Sequence, residues 1–204
     1  MGQQADGKTW LEKVRAGLPF TAPDDEFLTA IVSAKNKLSR YHALFEAENP
    51  DWRAVDAALR ELFGKVGTGT YVIPTLFVDV GFNIEIGDHS FINANCTLLD
   101  SYPIRIGSEV QIAPNCAFYP VGHPLDVRRR RVTTPAGVSG HLTTGAPIIV
   151  EDQVWIGGNT IVLPGVTIGA RSVIGAGSVV TKSIPPDVFA AGNPCRVIKP
   201  INGG

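Results

Sequence analysis

The chain has 204 residues, with 18 Lys and Arg against 19 Asp and Glu and a formal net charge of −1. That length suits one domain with a sizeable core, or one domain with a small cap. A charge so near zero gives no electrostatic ground for nucleic acid or an anionic membrane as partner, so a small-molecule partner is expected. The three cysteines fit a reducing compartment better than a disulfide framework. With no signal peptide and no apolar run long enough to span a membrane, the chain reads as soluble and cytoplasmic.

The opening MGQQAD has the glycine of a myristoylation signal but aspartate where serine or threonine belongs. Residues 1–22 are polar and punctuated by Gly and Pro, which predicts a loop or short helix. From Pro23 the apolar residues Phe27, Ile31, Ala34, Leu38, Tyr41 and Phe45 recur at threes and fours, behind Asp24, Asp25 and Glu26 in a first turn where the helix dipole favours anions. A second amphipathic helix is expected with Asn49 as its cap and Pro50 at its first position, carrying Trp52, Val55, Leu59 and Leu62 and stopping at Gly64. Two such helices cannot bury their own stripes, so residues 1–64 are expected to cap the body of the fold. The stretch from Gly64 to Asp79 should hold strands entering that body.

A six-residue beat then organises the chain. Aliphatic residues recur at Val80, Ile86, Ile92 and Leu98, again at Ile106, Ile112 and Phe118, and without a break at Val150, Ile156, Val162, Ile168, Ile174 and Val180. Neither a helix of 3.6 residues per turn nor a flat strand of period two keeps that beat on one face. The chain must turn a corner in each block, which predicts a mainly β fold, a parallel β-helix over residues 65–184. Gly157, Gly169 and Gly175 mark corners that need positive φ or close backbone approach. The beat is interrupted between Leu98 and Ile106, by two extra residues, and between Phe118 and Val150, by a long excursion over 122–146. A solenoid carries its insertions as loops on one face, so function is sought there. The proline-rich KSIPPDVFAAGNPCRVIKP should close the solenoid and fold back along it, giving a closing segment over 185–204.

Several residues could carry chemistry. His123 opens the long excursion directly after a coil, a position suited to a general base or to a structural imidazole. Asn93 stands where other blocks have glycine, and reads either as a left-handed corner or as a group that orients a substrate. Trp155 cannot point into a narrow coil, so it is either an anchor at a subunit interface or a wall of a binding cleft. Cys96 and Cys116 occupy the fifth position of their hexapeptides, as packed thiols would. The run Arg128 to Arg131 lacks interleaved aromatics or glycines and reads as a solvated loop before a phosphate contact.

The strings NIEIGDHSFINANCTLLDSYPIRIGSEVQIAPN, GHPLD and VWIGGNTIVLPGVTIGARSVIGAGSVVTKSIPPDVFAAGNPCRVIK closely resemble the maltose and galactoside O-acetyltransferases, acyltransferases built on a left-handed β-helix of hexapeptide repeats. RAGLPFTAPDDE and its two helices are similar to the family's N-terminal cap. The resemblance implies a homotrimer with acetyl-CoA as co-substrate, a sugar or glycoside hydroxyl as acceptor, and no metal. His123 would then be the general base, Gly158 the backbone N–H donor to the oxyanion, and Asn93 a substrate contact. Asp79, Phe91 and Ser101 match acceptor-pocket positions. Trp155, Ala176, Thr181, Lys182, Arg196 and Lys199 match positions along the coenzyme. Two departures concern the acceptor: Ala22 stands where galactoside enzymes have an aspartate, with Asp24 or Asp25 the nearest replacement, and Ser101 also replaces an aspartate. The rival readings are a catalytically inert trimeric scaffold or CoA-binding protein, and a metal-dependent β-helix enzyme, which would need a histidine triad where only His89 and His123 offer themselves.

Overall fold

The computed structural model describes residues 7–133, 137 and 139–201, so the MGQQAD signal lies outside the described residues. The cap holds α1 (Trp10–Arg15), α2 (Asp25–Phe45) and α3 (Trp52–Leu62), with a short strand Phe20–Ala22 between the first two. α1 is closed by a capping box in which the Thr9 and Glu12 side chains each take the other's backbone N–H. α3 corrects the expected start. Its cap is Asp51, whose carboxylate accepts from the Arg53 and Ala54 N–H groups, so Asn49 and Pro50 lie outside the helix. A carboxylate one residue before the first turn satisfies two orphan donors, which Asn49 is too far back to do.

The body is a parallel β-helix of three stacked sheets. The first sheet stacks Lys65–Val66, Ile84–Ile86, Ile104–Ile106, Ile148–Val150 and Thr167–Ile168. The second stacks Tyr71–Val72, Phe91–Ile92, Gln111–Ile112, Trp155–Ile156, Val173–Ile174 and Val188–Ala191, and ends with Arg196–Pro200 running antiparallel. The third stacks Phe77–Val78, Thr97–Leu98, Ala117–Phe118, Ile161–Val162 and Val179–Val180. Most of these strands end on an inward aliphatic or aromatic residue, and Ile92, Leu98, Phe118, Ile156, Val162, Ile168, Ile174 and Val180 are all at 0 % exposure. The six-residue beat therefore places its residues in the core as expected. The closing segment makes more coil than expected: Ile184 bridges Ile168 and Val188–Ala191 pairs in parallel before the chain reverses.

Val80 leaves the expected register. Val78 aligns with Leu98 and Phe118 across the third sheet, and Val80 lies beyond it, buried with Trp10, Val14, Phe20 and Tyr102 under the cap. The first coil thus carries the same two-residue insertion as the second, hidden because Val80 mimics a repeat position. All three insertions, 79–83, 99–103 and 119–147, fall on one corner, where the third sheet turns into the first.

Of the two alternatives expected for Gly157, Gly169 and Gly175, close approach holds and positive φ does not. Gly157 has an ordinary φ and serves close approach, since an added Cβ would fall 2.6 Å from the Ala176 nitrogen. The left-handed turns belong to the residue two places later, among them Asn95, Asn115 and Asn159 at φ near +60° (60°, 62° and 58°). Asn93 does not share that conformation, so its expected left-handed corner role passes to Asn95.

The long excursion is not a loop but a folded arm. It leaves through Val121–Gly122, makes α4 (Val127–Arg130), and returns through Arg131–Thr133 and Ser139–Gly145. The return strand pairs with Val121–Gly122, with Arg131–Thr133, and with Phe20–Ala22 of the cap. The arm is therefore tied to the N-terminal cap. Gly145 is required where it meets the coil, because a Cβ there would come within 2.2 Å of the Tyr102 ring.

Candidate active site

Two corners of the coil collect most of the residues singled out from the sequence. Where the second sheet turns into the third lie Asn93, Gly158 and Ala176, with Phe91 and Trp155 on the outer face of the adjoining strands. Where the third sheet turns into the first lie Asp79, Ser101, His123, Thr181 and Lys182. Arg196 and Lys199 are exposed on the antiparallel strand that ends the second sheet.

His123 is exposed, and its Nδ1 donates to the Leu142 carbonyl at 2.9 Å, since a carbonyl can only accept. Leu142 lies on the return strand of the arm and pairs with Thr21 of the cap strand, so the cap buttresses the imidazole. That bond leaves Nε2 as the nitrogen with the free lone pair. His141, on the same strand, brings its ring to 6.2 Å from that of His123. This neighbour was not visible in the sequence, because only the pairing of the arm brings the two rings together.

The acceptor candidates on the same corner touch one another. The Ser101 hydroxyl donates to Asp79 Oδ2 at 2.6 Å. Burial pushes the Asp79 carboxyl up, opposed by that hydrogen bond and by the charge of Lys35. Between them in the fold is Asp100, at 0 % exposure, which sequence reasoning misses although it lies inside the insertion after Leu98.

On the other corner, the Asn93 side-chain oxygen accepts from the Ala94 N–H at 2.8 Å, which fixes the orientation of its amide. The Gly158 carbonyl accepts from Gly177 at 2.8 Å, while its N–H has no acceptor among the described residues. Outward residues of the second sheet stack in register as Tyr71, Phe91, Gln111, Trp155 and Val173. Tyr71 and Phe91 are stacked rings at 6.0 Å, and Trp155 is 54 % exposed. In the cap, Asp24 is the N-cap of α2 and accepts from Phe27 N–H at 3.0 Å, whereas Asp25 is exposed in the first turn.

Of the arginine run, Arg128 pairs with Asp126 at 2.9 Å, and Arg130 donates to the Pro124 and Leu125 carbonyls. These contacts are within the arm itself. Cys96, Cys116 and Cys195 are buried free thiols, and the Cys116 thiol meets the Gly157 carbonyl at 3.3 Å.

The two corners are separated by one side of the coil. Asn93 to Leu99 is six residues, which at about 3.3 Å per residue sets the corners roughly 15 Å apart once the turns are allowed for. His123 and Gly158 of one chain therefore stand at different corners, a side of the coil apart in the order of the strands.

Comparison with known proteins places this arrangement. A family described as "Bacterial transferase hexapeptide (six repeats)" matches residues 147–182. The galactoside O-acetyltransferase of Escherichia coli (strain K12) is 38 % identical over 191 residues, 94 % of this chain and 89 % of the relative. Among solved structures, a maltose O-acetyltransferase from Clostridium difficile 630 superposes with a TM-score of 0.86 at 38 % identity, covering 97 % of this chain and 100 % of that one. A hexapeptide-repeat acetyltransferase of Vibrio cholerae O1 biovar eltor, complexed with acetyl coenzyme A, gives a TM-score of 0.82 at 38 % identity, covering 96 % and 100 %. On this likeness along nearly its whole length, the chain belongs to the hexapeptide-repeat acetyltransferases, among the galactoside and maltose O-acetyltransferases.

Proposed function

We propose that the protein transfers the acetyl group of acetyl-CoA directly to a hydroxyl of a sugar or glycoside, at a site completed by a second copy of the chain. The observation that carries this reading is the exposed His123 imidazole at the root of the arm, held through Nδ1 by the Leu142 carbonyl so that Nε2 is the nitrogen left to act as base. In the reaction Nε2 takes the proton of the acceptor hydroxyl as its oxygen attacks the thioester carbon. The oxyanion of the tetrahedral intermediate is received by the Gly158 N–H. As the C–S bond breaks, the imidazolium returns its proton to the departing CoA sulfur, and no acetyl-enzyme forms.

The separation of the corners supports the shared site. A neighbouring copy that sets its Asn93–Gly158 corner against the His123 corner would complete each centre, and such a head-to-tail contact closes into a ring, of three copies in the homotrimer that the family resemblance implies. The outward row of the third sheet, between the two corners, is Phe77, Thr97, Ala117, Ile161 and Val179, without a charge. The first sheet presents Lys65, Glu85 and Arg105 instead. An uncharged face flanked by both halves of a site suits burial against another copy. In this reading Trp155, Ala176, Thr181, Lys182, Arg196 and Lys199 line the coenzyme, and Asp79, Phe91, Asn93 and Ser101 line the acceptor. Asp24 is committed to its helix cap, which leaves Asp25 the freer of the two candidate replacements for the missing aspartate.

The test is release of free CoA thiol from acetyl-CoA in the presence of galactosides, glucose, maltose and chitooligosaccharides, with the acetylated product identified by mass. Thiol release with at least one carbohydrate is expected. Binding of CoA without acetyl transfer to any of them would favour the inert scaffold.

A further inference from the structure

Asp100 is a carboxylate at 0 % exposure with no cation against it among the described residues, and a buried charge of that kind is costly unless its hydrogen bonds do something specific. Its Oδ1 accepts from the Asp79 and Val80 N–H groups, both at 3.0 Å, and its Oδ2 accepts from the Asn83 N–H at 3.2 Å. The Asn83 side-chain amide returns a bond to the Asp100 carbonyl at 2.9 Å. One side chain therefore grips both ends of the first corner insertion from inside the second. Ionised, the side chain accepts at both oxygens, which an asparagine could not do, because it has one acceptor oxygen and its amide would face the Asn83 N–H donor to donor.

What is gripped is the acceptor side of the site. Asp79, whose N–H Asp100 holds, turns its carboxylate to the hydroxyl of Ser101, the next residue after Asp100. Tyr102, one further on, donates to the Leu18 carbonyl at 2.8 Å and supports the returning arm at Gly145. The same three-residue run thus reaches the acceptor pair on one side and the support of the His123 arm on the other. From the register of Val78, Leu98 and Phe118, Asp79 lies two coils, about 10 Å, along the corner from the root of that arm. That span matches a carbohydrate whose reacting hydroxyl meets His123 while another hydroxyl meets Asp79.

We propose that Asp100 is the positioning residue of the acceptor site: it fixes the Asp79–Ser101 pair at the distance from His123 that the acceptor must span, without touching the acceptor itself. This rests on the acetyl-transfer reading above. A misplacement of about 1 Å in such a pair is enough to cost on the order of a hundredfold in rate.

The test compares wild type with Asp100→Asn, and with Asn83→Ala, which removes the outer tie without altering the buried carboxylate. Hydrogen exchange should show Asp79, Val80 and Asn83 amides losing protection in Asp100→Asn while the amides of Val162–Val180 keep theirs. With the acceptor found for the wild type, kcat/KM for acceptor should fall at least about tenfold, and the dissociation constant of CoA should stay within about twofold. Asn83→Ala should shift the same parameters in the same direction by less, and it serves as the reading if Asp100→Asn does not fold. An unchanged acceptor kcat/KM in a variant whose corner amides have lost protection would overturn the inference, as would a parallel loss of acceptor and CoA affinity. Absence of acetyl transfer in the wild type would overturn the proposed function first, and is seen before any variant is made.

Discussion

At the scale of single residues, His123 is placed by a bond from its Nδ1 to the arm, so its loss should affect the proton transfer and little else. His123→Ala is expected to lower kcat by roughly 10²- to 10⁴-fold, the usual scale for a positioned proton acceptor. Titration with CoA should give nearly wild-type affinity; wild-type turnover on the parent's acceptor would show that another group is the base. Asp100 carries a second expectation, on stability. Burial pushes its carboxyl up to about 7, opposed by the surrounding backbone N–H groups and reinforced by Asp79. The folded state therefore holds a proton that the unfolded state, titrating near the model-peptide value of about 3.9, has lost. Its stabilising contribution is full below that value and disappears as pH rises through about 7. Urea denaturation of wild type and Asp100→Asn at pH 5 and pH 8 should show the wild type losing stability relative to the variant as pH rises.

At the scale of elements, the arm is the part on which the site depends most. Its return strand is wedged between the cap strand and Tyr102, and Gly145 is the point of closest approach. Gly145→Ala would bring a methyl against the Tyr102 ring and the Pro120 carbonyl, and neither can retreat without moving a coil. Overpacking of this kind costs about 1–3 kcal/mol, and here it would be relieved by lifting the arm. The expected result is faster proteolysis between Val121 and Gly145 and a lower kcat, with the far-ultraviolet spectrum of the coil retained. An arm as resistant to protease as the wild type's, with full activity, would mean that Tyr102 repacks locally.

At the scale of the whole molecule, the proposed shared site draws its two halves from different corners of the coil, so on that reading activity should follow assembly. Ile161→Glu puts a carboxylate on the uncharged outward row of the third sheet, where Ile161 is half-buried, and leaves the inward Val162 in place. Light scattering should report particles near the 21.7 kDa of one chain, and acetyl transfer should be lost with the oligomer. A monomer that keeps the wild-type rate would remove the shared site.

The sequence by itself determined the coil. A strict six-residue beat has one physical solution, so the inward set from Val150 to Val180 and the position of the longest insertion could be read from spacing alone. The helical stripes of the cap were legible for the same reason, although Asp51 took the capping role expected of Asn49. Position in the repeat singled out His123, Asn93 and Trp155, resemblance added Gly158, and the structure adds where each stands. Only the tertiary structure decided how the arm folds, that Val80 belongs to the cap cluster, that Asp100 ties two insertions together, and that His141 approaches His123. Each of these depends on contacts between segments far apart in the chain, such as Thr21 with Leu142 or Leu18 with Tyr102. A local repeat is written in neighbouring residues, whereas the pairing of an insertion with a distant cap is selected by burial and hydrogen bonding after the coil exists. That is why the scaffold was readable in the sequence and the support of the site was not.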